Sequence, residues 1–299
     1  MPLAGLADIL TRARAGGYGV AGLVVQGWED AKSYVLAAEK ADCPVILQAG
    51  PGARAHTPLP ILGRIFAELA DSAAVPVASH LDHAKGLDEI KQALECGFSS
   101  VMIDGSEMRL AENIALTCQA AELARAAGAS IEAELGFVGY AEGAASVMTD
   151  PQEAGRFVAE TGVDALAVSV GNTHLQTGKQ AVIDEGRLAE IVAATGQCAL
   201  VLHGGSGIAA PLRARLAAGR LVSKFNIGTE LRQLFGAGLR RYLAANPDAF
   251  DRLEILASLM PELQQGCVGI LRSLRPDLQP DLHPDLHPAD RARPEPAPE

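Results

Sequence analysis

The 299-residue sequence has little of what marks secreted, membrane or nucleic-acid-binding proteins. Its five cysteines are odd in number and never form a CxxC pair, which argues against a disulfide framework and indicates a reducing compartment. No apolar run reaches the roughly 18 residues of a membrane span, and residues 1–17 contain no signal-peptide apolar run. We therefore expect a cytoplasmic protein.

Positive charge is also scarce, since the sequence has 25 lysines and arginines against 36 aspartates and glutamates, which gives a net charge of −11. Nucleic acids and anionic membranes are bound through basic surfaces, so we expect neither as a partner. A phosphorylated small molecule stays open as a substrate, because backbone amides and one or two local cations can bind phosphate whatever the global charge.

Short apolar runs alternate with amphipathic segments as far as about residue 245. Eight of these runs have the composition of strands covered on both faces, at 17–25, 43–49, 75–81, 99–104, 129–135, 163–170, 197–202 and 220–227. Helical patterns fill the gaps, and one more precedes the first strand and is expected to close the barrel floor. Eight β–α alternations favour an α/β fold, a (β/α)8 TIM barrel, over an open sheet.

Two further helical patterns follow strand eight and predict extra C-terminal helices. Such helices pack either against a neighbouring subunit or on their own barrel, and we expect a homodimer or homotetramer. Residues 1–275 are predicted to form a single TIM-barrel catalytic domain. Residues 276–299 are a proline-rich run with a PDL repeat, which predicts a disordered Pro-rich tail.

Three histidines each follow an apolar run in a separate β–α unit: His83, His174 and His203. In a (β/α)8 barrel the strand ends converge on one rim, and that rim carries the chemistry. Three neutral imidazoles converging there, with a vacant fourth position, are the arrangement of a catalytic zinc. The sequence therefore predicts one zinc ion per chain, although three imidazoles also suit cobalt or iron.

Several carboxylates belong to the same predicted rim. Asp82 directly precedes His83 and is the candidate proton shuttle; the alternative is that it caps the next helix. Asp104 ends strand four and Glu134 lies in strand five, where a carboxylate is costly unless it is paired or metal-bound. Both are candidates for a second metal position or for supporting the first. Glu132 shares the orientation of Glu134 by the period of two, and one of these glutamates is expected to be structural.

Two more residues allow two interpretations each. Residues 136–149 are rich in small side chains and predict a mobile lid with glycine hinges. Glu142, near the middle of this segment, is either a base carried over the site or a solvated loop residue. His80 lies two positions before Asp82, and its place within strand three favours a structural core histidine that faces the barrel interior over a functional one.

Small-residue turns follow strands seven and eight. Such loops of a TIM barrel often bind phosphate through backbone amides and a helix N-terminus. The candidate phosphate-binding residues are Gly204, Gly205, Ser206, Asn226, Gly228 and Thr229.

Five segments resemble, in this order and spacing, the class II (zinc-dependent) ketose-bisphosphate aldolases, a family that includes fructose-bisphosphate and tagatose-bisphosphate aldolases. They are SHLDHAKGLDEIKQALECGFSSVMIDGS, IEAELGFVGYAE, GVDALAVSVGNTH, LVLHGGSGI and SKFNIGTEL. The resemblance covers roughly residues 3–245.

The resemblance implies reversible retro-aldol cleavage of a ketose (bis)phosphate to dihydroxyacetone phosphate and an aldehyde, through a zinc-stabilised enediolate. The residues that it implies are, for zinc, His83, His174 and His203; for proton transfer, Asp82 and Glu142; and for a second, displaced metal position, Asp104 and Glu134.

The chain departs from the family pattern where substrate is contacted. Leu175 stands where the family usually has a glycine whose backbone helps to bind phosphate and a monovalent cation. Residues 23–27 lack the family's asparagines, Gly50 replaces a frequent serine, and the loop's glycine pair reads Gly139–Tyr140. Candidates for compensating cationic contacts are Arg54, His56 and Lys179.

Three hypotheses remain. The first is a zinc aldolase that acts on a ketose phosphate. The second is a zinc-dependent carbon–carbon lyase that acts on an atypical or unphosphorylated hydroxy-carbonyl substrate, as the altered substrate contacts suggest. The third is a non-catalytic binding barrel, which the presence of Asp82 and Glu142 argues against.

Overall fold

A computed structural model of the chain describes residues 3–139, 146–178 and 181–275. Eight parallel strands close into a barrel in chain order, with the last strand paired to the first. The strands are β1 Val20–Val24, β2 Val45–Ala49, β3 Val77–Ala84, β4 Ser100–Ile103, β5 Ser130–Leu135, β6 Ala165–Val168, β7 Ala199–Leu202 and β8 Lys224–Ile227. The predicted (β/α)8 TIM barrel is confirmed.

Helices surround the barrel, and two follow its last strand. They are α1 Leu6–Gly16, α2 Trp28–Ala41, α3 Pro51–His56, α4 Leu59–Ser72, α5 Leu87–Glu95, α6 Leu110–Ala126, α7 Pro151–Thr161, α8 Glu185–Thr195, α9 Ala210–Ala218, α10 Thr229–Ala245 and α11 Arg252–Ser273. The C-terminal helix α11 packs against α2 and α10 of its own chain. None of the helices within the described ranges is long and apolar enough to cross a membrane.

The apolar core has two parts. The larger part lies between the strands and the surrounding helices, and the smaller part fills the lower barrel interior. Helix α1 closes this floor, as predicted, by placing Leu6, Ile9 and Leu10 against inward-facing residues such as Ile46 and Met102. The lower interior of the barrel is therefore apolar, and the polar side chains of the interior lie above it.

A buried ion pair crosses the barrel interior above that floor. The Nζ atom of Lys224 on β8 lies 2.7 Å from Oε2 of Glu132 on β5, and both side chains are fully buried. His80 on β3 lies beside them, with its Nε2 3.5 Å from Lys224 Nζ and its Nδ1 2.8 Å from Ser100 Oγ. Burial, and then the charge of Lys224, keep the pKa of His80 well below its usual value. His80 is thus an interior histidine, as expected, and Glu132 is the structural glutamate.

Strand β3 contains a β-bulge. It pairs with β4 at Leu81–Val101 and again at Ala84–Ile103, so β3 has one residue more than β4 over this interval. His83 lies in the bulge with a φ of +53°, which few residues other than glycine adopt. The sequence pattern predicts that this strand ends at Leu81. The strand continues to Ala84, because pairing with β4 resumes after the bulge.

Two predicted features fall outside the described residues. The Pro-rich tail covers 276–299, and the middle of the predicted lid, with Glu142, covers 140–145. Lys179 lies outside them as well.

We predict that Lys224→Met lowers the free energy of unfolding by about 3–5 kcal/mol, because it leaves the Glu132 carboxylate buried without its cation. Urea denaturation followed by circular dichroism measures the change. The double variant Lys224→Met/Glu132→Gln removes both charges and is expected to recover much of the loss. A single variant as stable as the native protein would contradict the prediction.

Candidate metal centre and active site

The structure brings the three histidines together at the carboxyl ends of the strands. His83 comes from the bulge of β3, His174 from the segment after β6, and His203 directly follows β7. The centroids of the His83 and His203 rings are 4.5 Å apart, and each lies slightly more than 5 Å from that of His174. One nitrogen from each ring lies within 4.8 Å of the other two. Two nitrogen ligands of a tetrahedral zinc are about 3.4 Å apart, so small side-chain movements would complete the site.

The hydrogen bonds of these rings fix which nitrogen faces the centre. His203 directs Nε2 at Oε1 of Glu132, 3.3 Å away, and His83 directs Nδ1 at Oδ2 of Asp104, 2.9 Å away. Such a carboxylate behind a histidine orients it as a metal ligand. Within the described residues, the buried atoms His203 Nδ1 and Glu134 Oε2 have no hydrogen-bond partner. Buried polar atoms are normally paired, so these two orphaned atoms fit a bound cation.

A second group of possible metal ligands shares His83 with the first. His83, Asp104 and Glu134 each offer one ligand atom within 4.8 Å of the others. Asp104 also accepts hydrogen bonds from Lys85 Nζ at 2.9 Å and from Ser106 Oγ at 2.6 Å. Burial would raise the pKa of Asp104, but His83, Ser106 and Lys85 together hold it well below its usual value. Asp104 is therefore an anion anchored beside the three imidazoles.

The local charges favour a cation between the rings. Burial would lower the pKa of His83, but Asp82, Asp104 and Glu134 more than offset that effect and raise it to about 9. The carboxylates that favour a proton on this ring would equally favour a metal ion in its place. Burial keeps the pKa of His203 well below its usual range, so this ring is neutral, as a metal ligand must be. The same holds for His174.

Burial raises the pKa of Glu134 to about 8, against the opposing influence of His83. Glu134 therefore differs from Asp104, because no lysine or arginine in the described part of the chain lies within hydrogen-bonding distance of it. Glu134 Oε2 lies 3.6 Å from His83 Nδ1 and 3.4 Å from His203 Nδ1. A cation placed among these atoms would restore its ionised form.

Asp82 lies next to His83, and both residues line the same cleft. Its Oδ1 accepts hydrogen bonds from Gln48 Nε2 at 2.8 Å and from Asn226 Nδ2 at 3.3 Å. Burial would raise its pKa, but the charges of His83 and Lys224 help to lower it overall, so Asp82 is ionised. The helix-cap alternative is wrong, because α5 begins after Gly86 and has no side-chain cap.

The cleft above these residues is formed by the strand ends of β1, β2, β7 and β8. Most of the candidate phosphate-binding residues line it: Gly204, Ser206, Asn226, Gly228 and Thr229. Gly205 does not line it and packs below, against Asn226 and Ile227. Gly204 has a φ of +64°, and a Cβ there would collide with the carbonyl oxygen of Thr173. Only glycine fits at this junction between the loops after β6 and β7.

Two of the cationic contacts predicted from the sequence, Arg54 and His56, lie outside the cleft. Arg54 does not line the cleft, because its guanidinium donates hydrogen bonds to backbone carbonyls beneath it. His56 lines a neighbouring hollow with Trp28 and Arg252. Arg232 is the only lysine or arginine among the described residues that line the cleft. Sequence reasoning missed it, although its place four residues after Gly228, in the first turn of α10, puts the two on one face.

Leu175 follows His174, lines the cleft and is 53% exposed. Its φ is +56°, so it has the left-handed backbone that glycine adopts readily. A leucine in this conformation costs roughly 1–2 kcal/mol. The chain thus has the backbone geometry of a glycine position at Leu175 while placing an apolar side chain in the cleft.

The two described ends of the predicted lid are held together. Phe137 and Val147 form a short antiparallel bridge with N–H···O distances of 2.8 and 2.9 Å. The backbone N–H of His174 donates to the carbonyl oxygen of Gly139 at 2.9 Å. The segment that contains Glu142 therefore begins beside one of the three histidines.

Comparison with known proteins agrees with this geometry. Residues 4–276 match the family described as fructose-bisphosphate aldolase class-II. The YdjI aldolase from Escherichia coli K12 is 30% identical, covers 91% of this chain and 97% of its own, and superposes with a TM-score of 0.80. A putative fructose-1,6-biphosphate aldolase from Coccidioides immitis is 26% identical over 90% of this chain and 96% of its own, with a TM-score of 0.79. The fructose-bisphosphate aldolase from Campylobacter jejuni (22% identical, 92% and 96% covered, TM-score 0.79) shares the fold.

We predict that Leu175→Gly raises the free energy of unfolding by up to about 1 kcal/mol, because relief of the left-handed strain exceeds the entropy that glycine loses on folding. Urea denaturation measures this change. Leu175→Ala is the matched control, since it removes the same side chain but keeps the strain. Equal gains in stability from both variants would show that the backbone of Leu175 is not strained.

Proposed function

This chain belongs to the class II fructose-bisphosphate aldolase family, and on that premise we propose that it cleaves a ketose (bis)phosphate reversibly into dihydroxyacetone phosphate and an aldehyde. The observation that carries the proposal is the meeting of three imidazoles at the base of the cleft that an ionised Asp82 lines. We assign the activity to a single catalytic domain over residues 1–275.

His83, His174 and His203 would hold one zinc ion per chain. A bound zinc would supply a Lewis acid that polarises the carbonyl of the ketose. Glu132 and Asp104 would orient two of the imidazoles from behind, as their hydrogen bonds to His203 and His83 suggest.

Asp82 would move the proton. Its Oδ1 is already engaged by Gln48 and Asn226, while its Oδ2 lies towards Gly50 at the wall of the cleft. An ionised carboxylate in this place can accept the hydroxyl proton whose removal starts cleavage of the neighbouring carbon–carbon bond. Glu142 is the proposed second acid–base group. Support for it comes from the hydrogen bond that joins Gly139, three residues earlier, to His174.

The phosphate of the substrate would lie between the loops after β7 and β8. Gly204, Ser206, Gly228 and Thr229 line this part of the cleft, and Arg232 adds a positive charge at the start of α10. Backbone amides at a helix N-terminus and one guanidinium are a suitable combination for a phosphate group.

A second candidate function is carbon–carbon cleavage of an unphosphorylated hydroxy-carbonyl compound. Leu175 favours it, because an exposed apolar side chain occupies the cleft where the family pattern has glycine. Val24 and Gln26 line the cleft in the region where the family pattern has asparagines. Both candidates use the same metal ligands and the same carboxylate, and they differ only in phosphate dependence.

The test pairs metal analysis with a cleavage screen. We expect about one zinc per purified chain, and cleavage of a ketose mono- or bisphosphate that a chelator abolishes and zinc restores. Inorganic phosphate should compete with a phosphorylated substrate. Cleavage of unphosphorylated ketoses that phosphate does not inhibit would favour the second candidate. Absence of bound metal would contradict both.

We predict that Asp82→Asn lowers kcat by about 10²–10⁴-fold while the zinc content stays near one per chain, because the variant keeps the shape of the side chain but loses the proton acceptor. Steady-state kinetics and metal analysis of the same preparation measure the two effects. Undiminished kcat would remove Asp82 from the reaction.

A further inference from the structure

Arg54 is buried beneath the cleft and binds the backbone of the residues that form it. Its side chain is 9% exposed. From the short helix α3, Nη1 donates to the carbonyl oxygen of Asp82 at 2.7 Å, and Nη2 donates to that of His83 at 2.9 Å. Nη1 also donates to the carbonyl oxygen of Ala49 at the end of β2, at 3.2 Å. One guanidinium thus joins the ends of two neighbouring strands.

The two carbonyls that Arg54 binds belong to the β-bulge of β3. Successive side chains of a regular strand point to opposite faces, yet Asp82 and His83 both line the cleft. The bulge makes this possible, because it inserts one residue and re-aims the side chains beside it. It also removes backbone groups from regular pairing, and buried carbonyls need other donors. Arg54 supplies them.

Glu89 fixes the guanidinium from the other side. Its Oε1 accepts from Arg54 Nε at 3.0 Å, and its Oε2 accepts from the backbone N–H of Lys85 at 2.9 Å. We call Arg54 and Glu89 together the clamp. The clamp holds the backbone within the bulge, through Arg54, and just after it, through the bond from Glu89 to Lys85. A planar fork can bind two adjacent carbonyls and a carboxylate at once, which an ammonium group cannot do with the same geometry.

We propose that Arg54 is a positioning residue of the aldolase, and that its guanidinium holds the bulge in the conformation that places the Asp82 carboxylate and the His83 imidazole side by side. This role rests on the function proposed above, in which these two residues move the proton and bind the metal. Arg54 acts through the backbone and does not line the cleft.

The test compares Arg54→Met and Arg54→Lys with the control Arg125→Met. Arg125 also donates to two backbone carbonyls, those of Thr161 and Gly162, at 2.8 and 3.2 Å. Those carbonyls lie at the end of α7, so the control loses similar bonds outside the site. For each protein we would measure zinc affinity by competition with a chelator, the visible spectrum of the cobalt-substituted form, kcat and KM at saturating metal, and Tm.

We expect Arg54→Met to weaken zinc affinity by about 10–100-fold and to change the cobalt spectrum, since the backbone that carries the ligand is no longer fixed. Under saturating zinc, kcat should fall by a similar factor while KM changes less than about threefold. The zinc affinity and kcat of Arg54→Lys should lie between those of Arg54→Met and those of the native protein. Arg125→Met should keep native affinity, spectrum and kcat even where its Tm is lowered.

Native zinc affinity, cobalt spectrum and kcat in folded Arg54→Met or Arg54→Lys would overturn the role of Arg54 and leave the aldolase assignment intact. If Arg54→Met binds zinc more weakly than the native protein does, but the native protein cleaves no ketose, the proposed function alone would be overturned. A native protein that binds no zinc would overturn both. If Arg54→Met and Arg125→Met lose zinc affinity and Tm in parallel, Arg54 is only a general stabilising residue. That result would also contradict the proposal.

Discussion

Mutual neutralisation of buried charge is the constraint on which this structure depends. The barrel interior contains carboxylates and cations whose separate burial would be prohibitive, and several of them are paired with an opposite charge. Glu132 shows the arrangement most clearly, since one of its oxygens binds Lys224 and the other faces His203. A group required for stability thereby also orients a candidate metal ligand. The fold and the site cannot be changed independently at this position.

The sequence predicted the barrel because its signals are local. Each strand is a short apolar run, each helix an amphipathic segment, and their alternation leaves few arrangements. The meeting of His83, His174 and His203 followed from the same reasoning, since parallel strands bring their carboxyl ends to one rim. Asp82 was placed beside them because it adjoins His83 in the chain.

Other features depend on contacts that the sequence pattern does not carry. The bulge at His83 adds one residue to β3 without any glycine or proline to mark it, and the sequence pattern ended the strand too early. The charge of Arg54 is visible in the sequence and suggests a substrate contact, whereas the carbonyls that it binds are not visible there. Leu175 stood out as a departure from a family pattern, but its left-handed backbone could be recognised only in three dimensions. Periodicity predicts where residues lie along an element, and it does not predict departures from regular geometry.

The ion pair between Lys224 and Glu132 joins positions 92 residues apart, on strands that are three places apart around the barrel. It therefore ties β5 to β8 inside the barrel. Because Glu132 precedes Lys224 by 92 residues, its carboxylate has no lysine to pair with on this side until β8 has docked. Burial of this carboxylate before then would leave an uncompensated charge in the interior. Docking of β8 thus completes the barrel and the neutralisation of its interior in one step.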